Sequence, residues 1–191
     1  KVLLLIPRFI GFLDRDINSK NYGCFDRYYW LYRQKDFSNV RFQECAYLFA
    51  LLYKFDCPNN KYFNNDPFLE WIKSGIKYVF NSMSRKDGSF DELYPYERSF
   101  CGTSFTTYLI AEAALLLKID LPNAVQNTGN WLLKNNNPEL INQMTASIMA
   151  LYNLYLITDQ SKYLEGAEEK LEKIIKLQNN KGYYPEYGGP D

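Results

Sequence analysis

The sequence predicts an all-α protein built of helical hairpins, arranged as a toroid or an open arc, with a short extended arm at its N-terminus. Three observations carry this expectation. First, one phrase is written more than once: a helix-forming stretch, a Gly–aromatic loop, then an apolar helix rich in small residues. The clearest copy runs Phe68–Met83, Lys86-Asp87-Gly88-Ser89-Phe90-Asp91-Glu92, Thr103–Leu117, and a second begins at Tyr163–Leu177 and reaches Gln178–Tyr184. Second, the apolar helices superimpose. Sliding Thr103 onto Thr145 pairs Thr-Ser-Phe-Thr-Thr-Tyr-Leu with Thr-Ala-Ser-Ile-Met-Ala-Leu, and sliding Gln43 onto Thr103 brings Ala46–Tyr53 to the same place. Third, these buried-type helices alternate with amphipathic ones at a period of roughly 40–60 residues, as in helical-hairpin arrays. A unit of this kind cannot cover its own apolar face and needs neighbours to do so.

Each element has a local reason. Val2-Leu-Leu-Leu-Ile6 is too short to span a membrane and lacks a signal peptide's small-residue cleavage site, so it is expected as a buried strand or an arm within residues 1–37. Ser38 is placed to cap a helix over Arg41–Tyr53, which Pro58 and the run Asn59–Asn65 terminate. Asp66-Pro67 opens the next helix, with Asp as cap and Pro where its missing N–H does no harm. Phe68, Trp71, Ile72, Ile76, Val79, Phe80 and Met83 recur there at helical spacing, leaving Glu70, Lys73 and Lys77 outside. Thr103–Leu117 has almost no polar face, so it should be buried on every side. Leu121-Pro122 opens an amphipathic helix through Leu133, a second apolar helix covers about Gln143–Ile157, and a charged amphipathic one covers Ser161–Leu177. The second copy of the phrase stops soon after its loop, at Gly188-Gly189-Pro190-Asp191. Residues 38–191 are therefore expected to form three hairpins and the outer half of a fourth, a truncated array.

The stretch Lys173-Ile174-Ile175-Lys176-Leu177-Gln178-Asn179-Asn180-Lys181-Gly182-Tyr183-Tyr184 resembles the QW-type repeat of the squalene-cyclase superfamily: an apolar helix end, a Gln, a polar spacer, a Gly and an aromatic. Met83–Phe90 is similar, with Ser84 in the place of Gln178. The resemblance implies an (α/α) toroid with inner helices around a central cavity, a shape also found in protein prenyltransferases, polysaccharide lyases and glycosidases. It speaks for fold more than for chemistry, because the loop is a helix-end clamp. The chain departs from each of those activities in turn. It has no Asp-x-Asp-Asp protonation motif. It has no histidine for a prenyltransferase-type zinc site. The histidine that such lyases commonly pair with a tyrosine is missing from 1–191 as well.

Composition sets the remaining bounds. The 22 basic and 22 acidic residues cancel, which points away from nucleic acid and from an anionic membrane as partners. Four cysteines without a Cys-x-x-Cys pair, and no histidine, leave no metal or cofactor site to propose. Cys45 and Cys101 read as reduced core residues, and a cytoplasmic location is the expectation. The 17 tyrosines and 13 phenylalanines suit helix packing first and the lining of a polar cleft second.

Three polar clusters are candidates for function. The loop Asp91-Glu92-Leu93-Tyr94-Pro95-Tyr96-Glu97-Arg98 leads into an inner helix, and such loops ring one mouth of a toroid. Glu92 and Glu97 are the candidate acid and base, since glycosidic cleavage takes a carboxylate pair; Asp91, Tyr94, Tyr96 and Arg98 would bind sugar hydroxyls. Asp26, Arg27, Tyr28 and Trp30 form a second aromatic and charged cluster, which reads equally well as an arm packed across the array. Glu186 and Tyr187 occupy the equivalent loop of the later copy. The leading expectation is recognition or processing of a carbohydrate polymer, by a lyase or hydrolase if catalytic. A non-catalytic binding or scaffold module and an isoprenoid-cyclase-like enzyme are the alternatives. An open arc would expose inner-helix surface, so self-association is also expected.

Overall fold

A computed structural model describes residues 2–186 together with 189 and 190. Among the described residues the elements are all helical apart from a two-residue antiparallel strand pair, β1 (Pro185–Glu186) and β2 (Gly189–Pro190). Helix α1 spans Ile6–Phe12 and the short α2 spans Arg27–Trp30. A 3₁₀ turn over Val40–Glu44 runs into α3 (Cys45–Lys54), and α4 (Asp66–Tyr78) continues through a π-helical turn over Val79–Met83. Then follow α5 (Phe100–Leu117), α6 (Val125–Lys134), α7 (Ile141–Thr158) and α8 (Ser161–Ile175).

The residues expected to form an extended arm are helical: Val2–Leu4 is a 3₁₀ turn leading into α1, with Pro7 in its first turn. A run of large apolar residues with no polar alternation and a proline at N1 or N2 suits a helix start better than a paired strand. Two caps sit one residue from their expected place. Asn39, not Ser38, accepts the Arg41 amide; Ser38 is buried against the Tyr78 hydroxyl at 3.1 Å. Asn65, not Asp66, accepts the Phe68 amide, so Asp66 and Pro67 are the first two helical residues. Asn side chains reach the N3 amide as readily as Asp or Ser, so composition alone does not choose between neighbours.

Helix α5 sits at the centre, packed on α3, α6 and α7, and α7 packs in turn on α8. Its sequence meets the length and composition test for a membrane span, yet here it is a core helix with Ile110, Ala111, Ala113 and Ala114 buried. Helices α5 and α7 both end on a residue in the left-handed conformation, Lys118 and Asp159, each with φ of 54°. Helices α3 and α5 run parallel: Arg41 meets Cys101 and Glu44 meets Thr106 further along.

The repeat is deeper than the sequence phrase. Gly23-Cys24-Phe25-Asp26 and Gly88-Ser89-Phe90-Asp91 are two copies of one loop, both with a left-handed glycine, at φ of 94° and 95°. The Phe25 amide donates to Gln43 Oε1 at 2.9 Å, and the Phe90 amide donates to Thr103 Oγ1 at 3.0 Å. Gly23 lies on the backbone of α4 at Ser74, and Gly88 lies on the backbone of α6 at Asn127, both so close that a Cβ would overlap the carbonyl. The intervening loop, Asn135–Leu140, has no glycine. It is tied to α8 by Lys170, whose Nζ donates to the Asn135 carbonyl and to Asn136 Oδ1, each at 2.7 Å.

Candidate functional site

The loop between Asp91 and Arg98 is closed by its own carboxylates. A bridge between Phe90 and Ser99 sets its base. One oxygen of Glu97 accepts the amides of Glu92 at 2.9 Å, Leu93 at 2.7 Å and Tyr94 at 3.3 Å. Asp91 accepts the amides of Tyr96 and Arg98 at 2.9 and 3.0 Å, and pairs with Arg85 at 2.6 Å. Tyr96 and Arg98 are both left-handed, with φ of 67° and 53°, a strained state for such residues that the Asp91 carboxylate holds in place. The Arg85 guanidinium lies over the Tyr96 ring at 4.5 Å, and Arg98 reaches back to Asp87 at 3.3 Å. Tyr94 and Tyr96 remain 68% and 77% exposed. An open groove of about 550 Å³ lies beside this loop, lined by Ser82–Asp87 and Arg98.

Glu92 faces the other way. Its Oε2 accepts the Ser99 hydroxyl at 2.9 Å, and Ser99 Oγ in turn caps α5 by accepting the Gly102 amide at 2.9 Å. Around it gathers a cluster that sequence reasoning missed, at the starts of α3 and α5. Arg41 pairs with Glu44 at 2.7 Å, donates to Cys101 Sγ at 3.1 Å, and stacks on the Phe105 ring at 4.5 Å. The Glu44 side chain, 18% exposed, also accepts the Thr106 hydroxyl at 3.2 Å. Burial pushes the Glu44 carboxyl above the usual carboxylate range and Glu92's charge adds to this, against the pull of Arg41 and Thr106. Burial, then the Glu92 charge, pushes the Cys101 thiol up, so it is not prepared as a thiolate nucleophile. The missed signal was the Arg41-x-x-Glu44 spacing, which puts an ion pair on one helical face just before an apolar run.

Further along the same face stand Tyr47, Tyr108 and Glu112. Burial and then the Glu112 charge raise the Tyr47 hydroxyl, and Asn153 of α7 donates to Glu112 Oε1 at 2.9 Å. A half-buried acid with a raised pKa beside a second carboxylate and a guanidinium is the arrangement that general acid–base chemistry and polar-ligand recognition both use.

The second sequence cluster is built differently. Asp26 is fully buried; its Oδ2 accepts the Asn39 amide at 2.9 Å and lies 3.5 Å from Lys35 Nζ, and its Oδ1 has no partner among the described residues. Arg27 stacks on Tyr32 at 5.1 Å and donates to the Gly11 carbonyl. The Trp30 indole donates to the Phe12 carbonyl at 2.8 Å, and the Tyr28 ring meets Tyr32 edge-on at 5.9 Å. These residues fasten the N-terminal segment across α1. No hydrogen bond, ion pair or ring contact among the described residues joins them to the Asp91–Arg98 loop.

In the third cluster, Glu186 is buried and accepts the Asn142 amide at 2.7 Å, so its carboxylate sits at the start of α7. Its other oxygen has no partner among the described residues. Tyr187 lies outside the described residues. The described residues contain no group of three His, Cys, Asp or Glu side chains able to hold a metal ion. All four cysteines are free thiols. No protein family, curated protein or solved structure matches the chain.

Proposed function

We propose that this chain recognises or processes a carbohydrate polymer, at the face formed by the starts of α3 and α5, within a toroid-like or arc-like array of hairpins of the squalene-cyclase and polysaccharide-lyase shape. The observation that carries the proposal is the pair Glu44 and Glu92. One carboxyl is biased towards its protonated form and the other is hydrogen-bonded to Ser99, with Arg41 and Phe105 beside them. Exposed tyrosines at Tyr94 and Tyr96 supply flat faces on which pyranose rings stack. In this reading Glu44 replaces Glu97 as the carboxyl paired with Glu92, because Glu97 is committed to three amides of its own loop. Four free thiols suit a reducing compartment such as the cytoplasm.

A binding module without turnover is the second reading, favoured by the same commitment of Asp91 and Glu97 to loop structure. An isoprenoid-processing reading finds less support. The apolar cavity lined by Phe9, Phe12, Phe25, Phe42 and Cys45 holds about 120 Å³, below the range of about 300–1,000 Å³ usual for ligand pockets.

The test is titration of the chain with neutral and acidic oligosaccharides, followed by amide NMR shifts and by reducing-end release. Binding should move the amides around Arg41, Glu92 and Tyr94. Tyr94→Ala should weaken it up to about tenfold, the worth of one aromatic contact. Loss of turnover in Glu44→Gln with binding retained supports an enzyme; binding without turnover in the wild type supports the module. Absence of any oligosaccharide binding, or shifts confined to other faces, refutes the proposal.

A further inference from the structure

Helices α3, α5 and α7 carry two charged side chains between them, Glu112 within α5 and Lys54 at the end of α3. Neither forms an ion pair among the described residues. The partner of Glu112 is the Asn153 amide of α7, which donates to Oε1 at 2.9 Å and lies 3.5 Å from the Tyr108 carbonyl. Asn153 is 2% exposed, so its amide is held in one direction between α5 and α7. Tyr108 and Glu112 stand one turn apart on one face of α5. Tyr47 reaches them from α3, one turn beyond Glu44, since α3 runs parallel to α5 with Glu44 level with Thr106. After burial, Glu112 and then Tyr108 raise the Tyr47 hydroxyl, which keeps it a proton donor. A carboxylate, two phenols and a fixed amide thus meet from three helices, with Tyr47, Tyr108 and Glu112 half-buried. Helix α5 is flanked by α3 and α7, so this cluster lies within the array and not at either end.

From Thr106 to Glu112 the helix advances by about 9 Å, so the cluster stands apart from Glu44 and Glu92 on the same face. Charge sets the kind of group it takes. Arg41 is committed to Glu44, Cys101 and the Phe105 ring, and Lys54 lies two turns beyond Tyr47. A half-buried carboxylate with one neutral partner is short of the hydration it gave up, and an ammonium group makes good the loss. Tyrosines beside a carboxylate also favour a cation. We propose that Tyr47, Tyr108, Glu112 and Asn153 form a second subsite, which takes the ammonium group of an unacylated amino sugar. This subsite presupposes the carbohydrate reading and narrows the polymer to one that carries free amines. The glycan lies along α3 and α5, one ring at Glu44 and Glu92 and a later ring at Glu112.

The test compares short oligomers of glucosamine with their fully N-acetylated counterparts, which keep the rings and lose the charge. The wild type should bind the amine form about tenfold tighter, the worth of one charge-assisted hydrogen bond. The Asn153 side-chain amide signal should move with the oligomer and stay still with the single sugar. Glu112→Gln retains an acceptor for Asn153; it should erase the preference and leave binding of the acetylated oligomer unchanged. Glu172→Gln, an equal change of charge on the exposed side of α8, should leave the preference intact. Tyr47→Phe should reduce it from a different helix, which separates a ligand contact from a fault in α5. Equal binding of the two oligomers, with shifts still seen at Arg41 and Glu92, overturns the subsite and leaves the carbohydrate reading standing. Equal weakening of both oligomers in Glu112→Gln overturns it too. Absence of binding by every oligosaccharide overturns both.

Discussion

Replacing Gly88 by alanine tests whether the glycine loops are held by close approach to the next helix. Two effects add at Gly88. A Cβ at φ of 95° is strained wherever it sits, by about 1–3 kcal/mol. It would also overlap the Asn127 carbonyl of α6, and the loop must lift away, forcing a misfit that typically costs another 1–3 kcal/mol. Gly182→Ala suffers the first effect alone, since none of the described residues lies within 4 Å of the added Cβ. The expected losses are about 4 kcal/mol for Gly88→Ala and about 2 kcal/mol for Gly182→Ala. In urea, with a slope of about 2 kcal/mol/M, the midpoints fall by about 2 M and about 1 M. Gly23→Ala should behave like Gly88→Ala, because it meets the Ser74 carbonyl in the same way. Equal losses at Gly88 and Gly182 would show that conformation alone matters and that the seat on α6 contributes nothing.

Two further outcomes follow from charge. Lys170 is buried, and burial followed by the Lys173 charge lowers its pKa from 10.5 to about 8, with Glu169 opposing. Below pH 8 the amine is charged in both states and the penalty is fully present; between about 8 and 10.5 only the unfolded chain keeps the proton, so this contribution makes stability rise with pH. The gain is on the order of 3 kcal/mol. Urea unfolding at pH 7.5 and 10 should therefore show the wild type gaining on Lys170→Met, and parallel pH curves for the two would refute it. Glu97→Ala should speed hydrogen exchange at the amides of Glu92, Leu93 and Tyr94 while leaving the global midpoint almost unmoved, since Glu97 is exposed. Unchanged exchange at those three amides would remove Glu97 from the loop's closure.

The alignment of Gln43 with Thr103, read from apolar pattern alone, places together two side chains that do one job, since each receives the amide of a loop phenylalanine. Helix type and order were legible because apolar residues at helical spacing report burial whatever they pack against. The first copy of the loop, at Gly23–Asp26, was hidden because the residues before it form only the short α1 and not the long amphipathic helix that precedes Gly88. Three of its four residues nevertheless match Gly88–Asp91. The candidate site was legible in part. Glu92 lies at the start of the apolar helix α5, on its cap residue Ser99. Glu44 was masked as one polar residue before an apolar stretch, because its meaning depends on Arg41 beside it and on Thr106 from another helix. Sequence spacing registers the first of those partners and has no access to the second. For Glu97, proximity to Glu92 suggested a pair, whereas the backbone amides between them draw its carboxylate into the loop.

The seating of each loop on a helix that comes later in the chain gives the protein a direction in time. As it leaves the ribosome, the Gly23 loop has nothing to rest on until α4 is made, and the Gly88 loop waits for α6. Every hairpin is provisional until its successor arrives, so consolidation proceeds from the N-terminus as a travelling front that lags synthesis by one repeat.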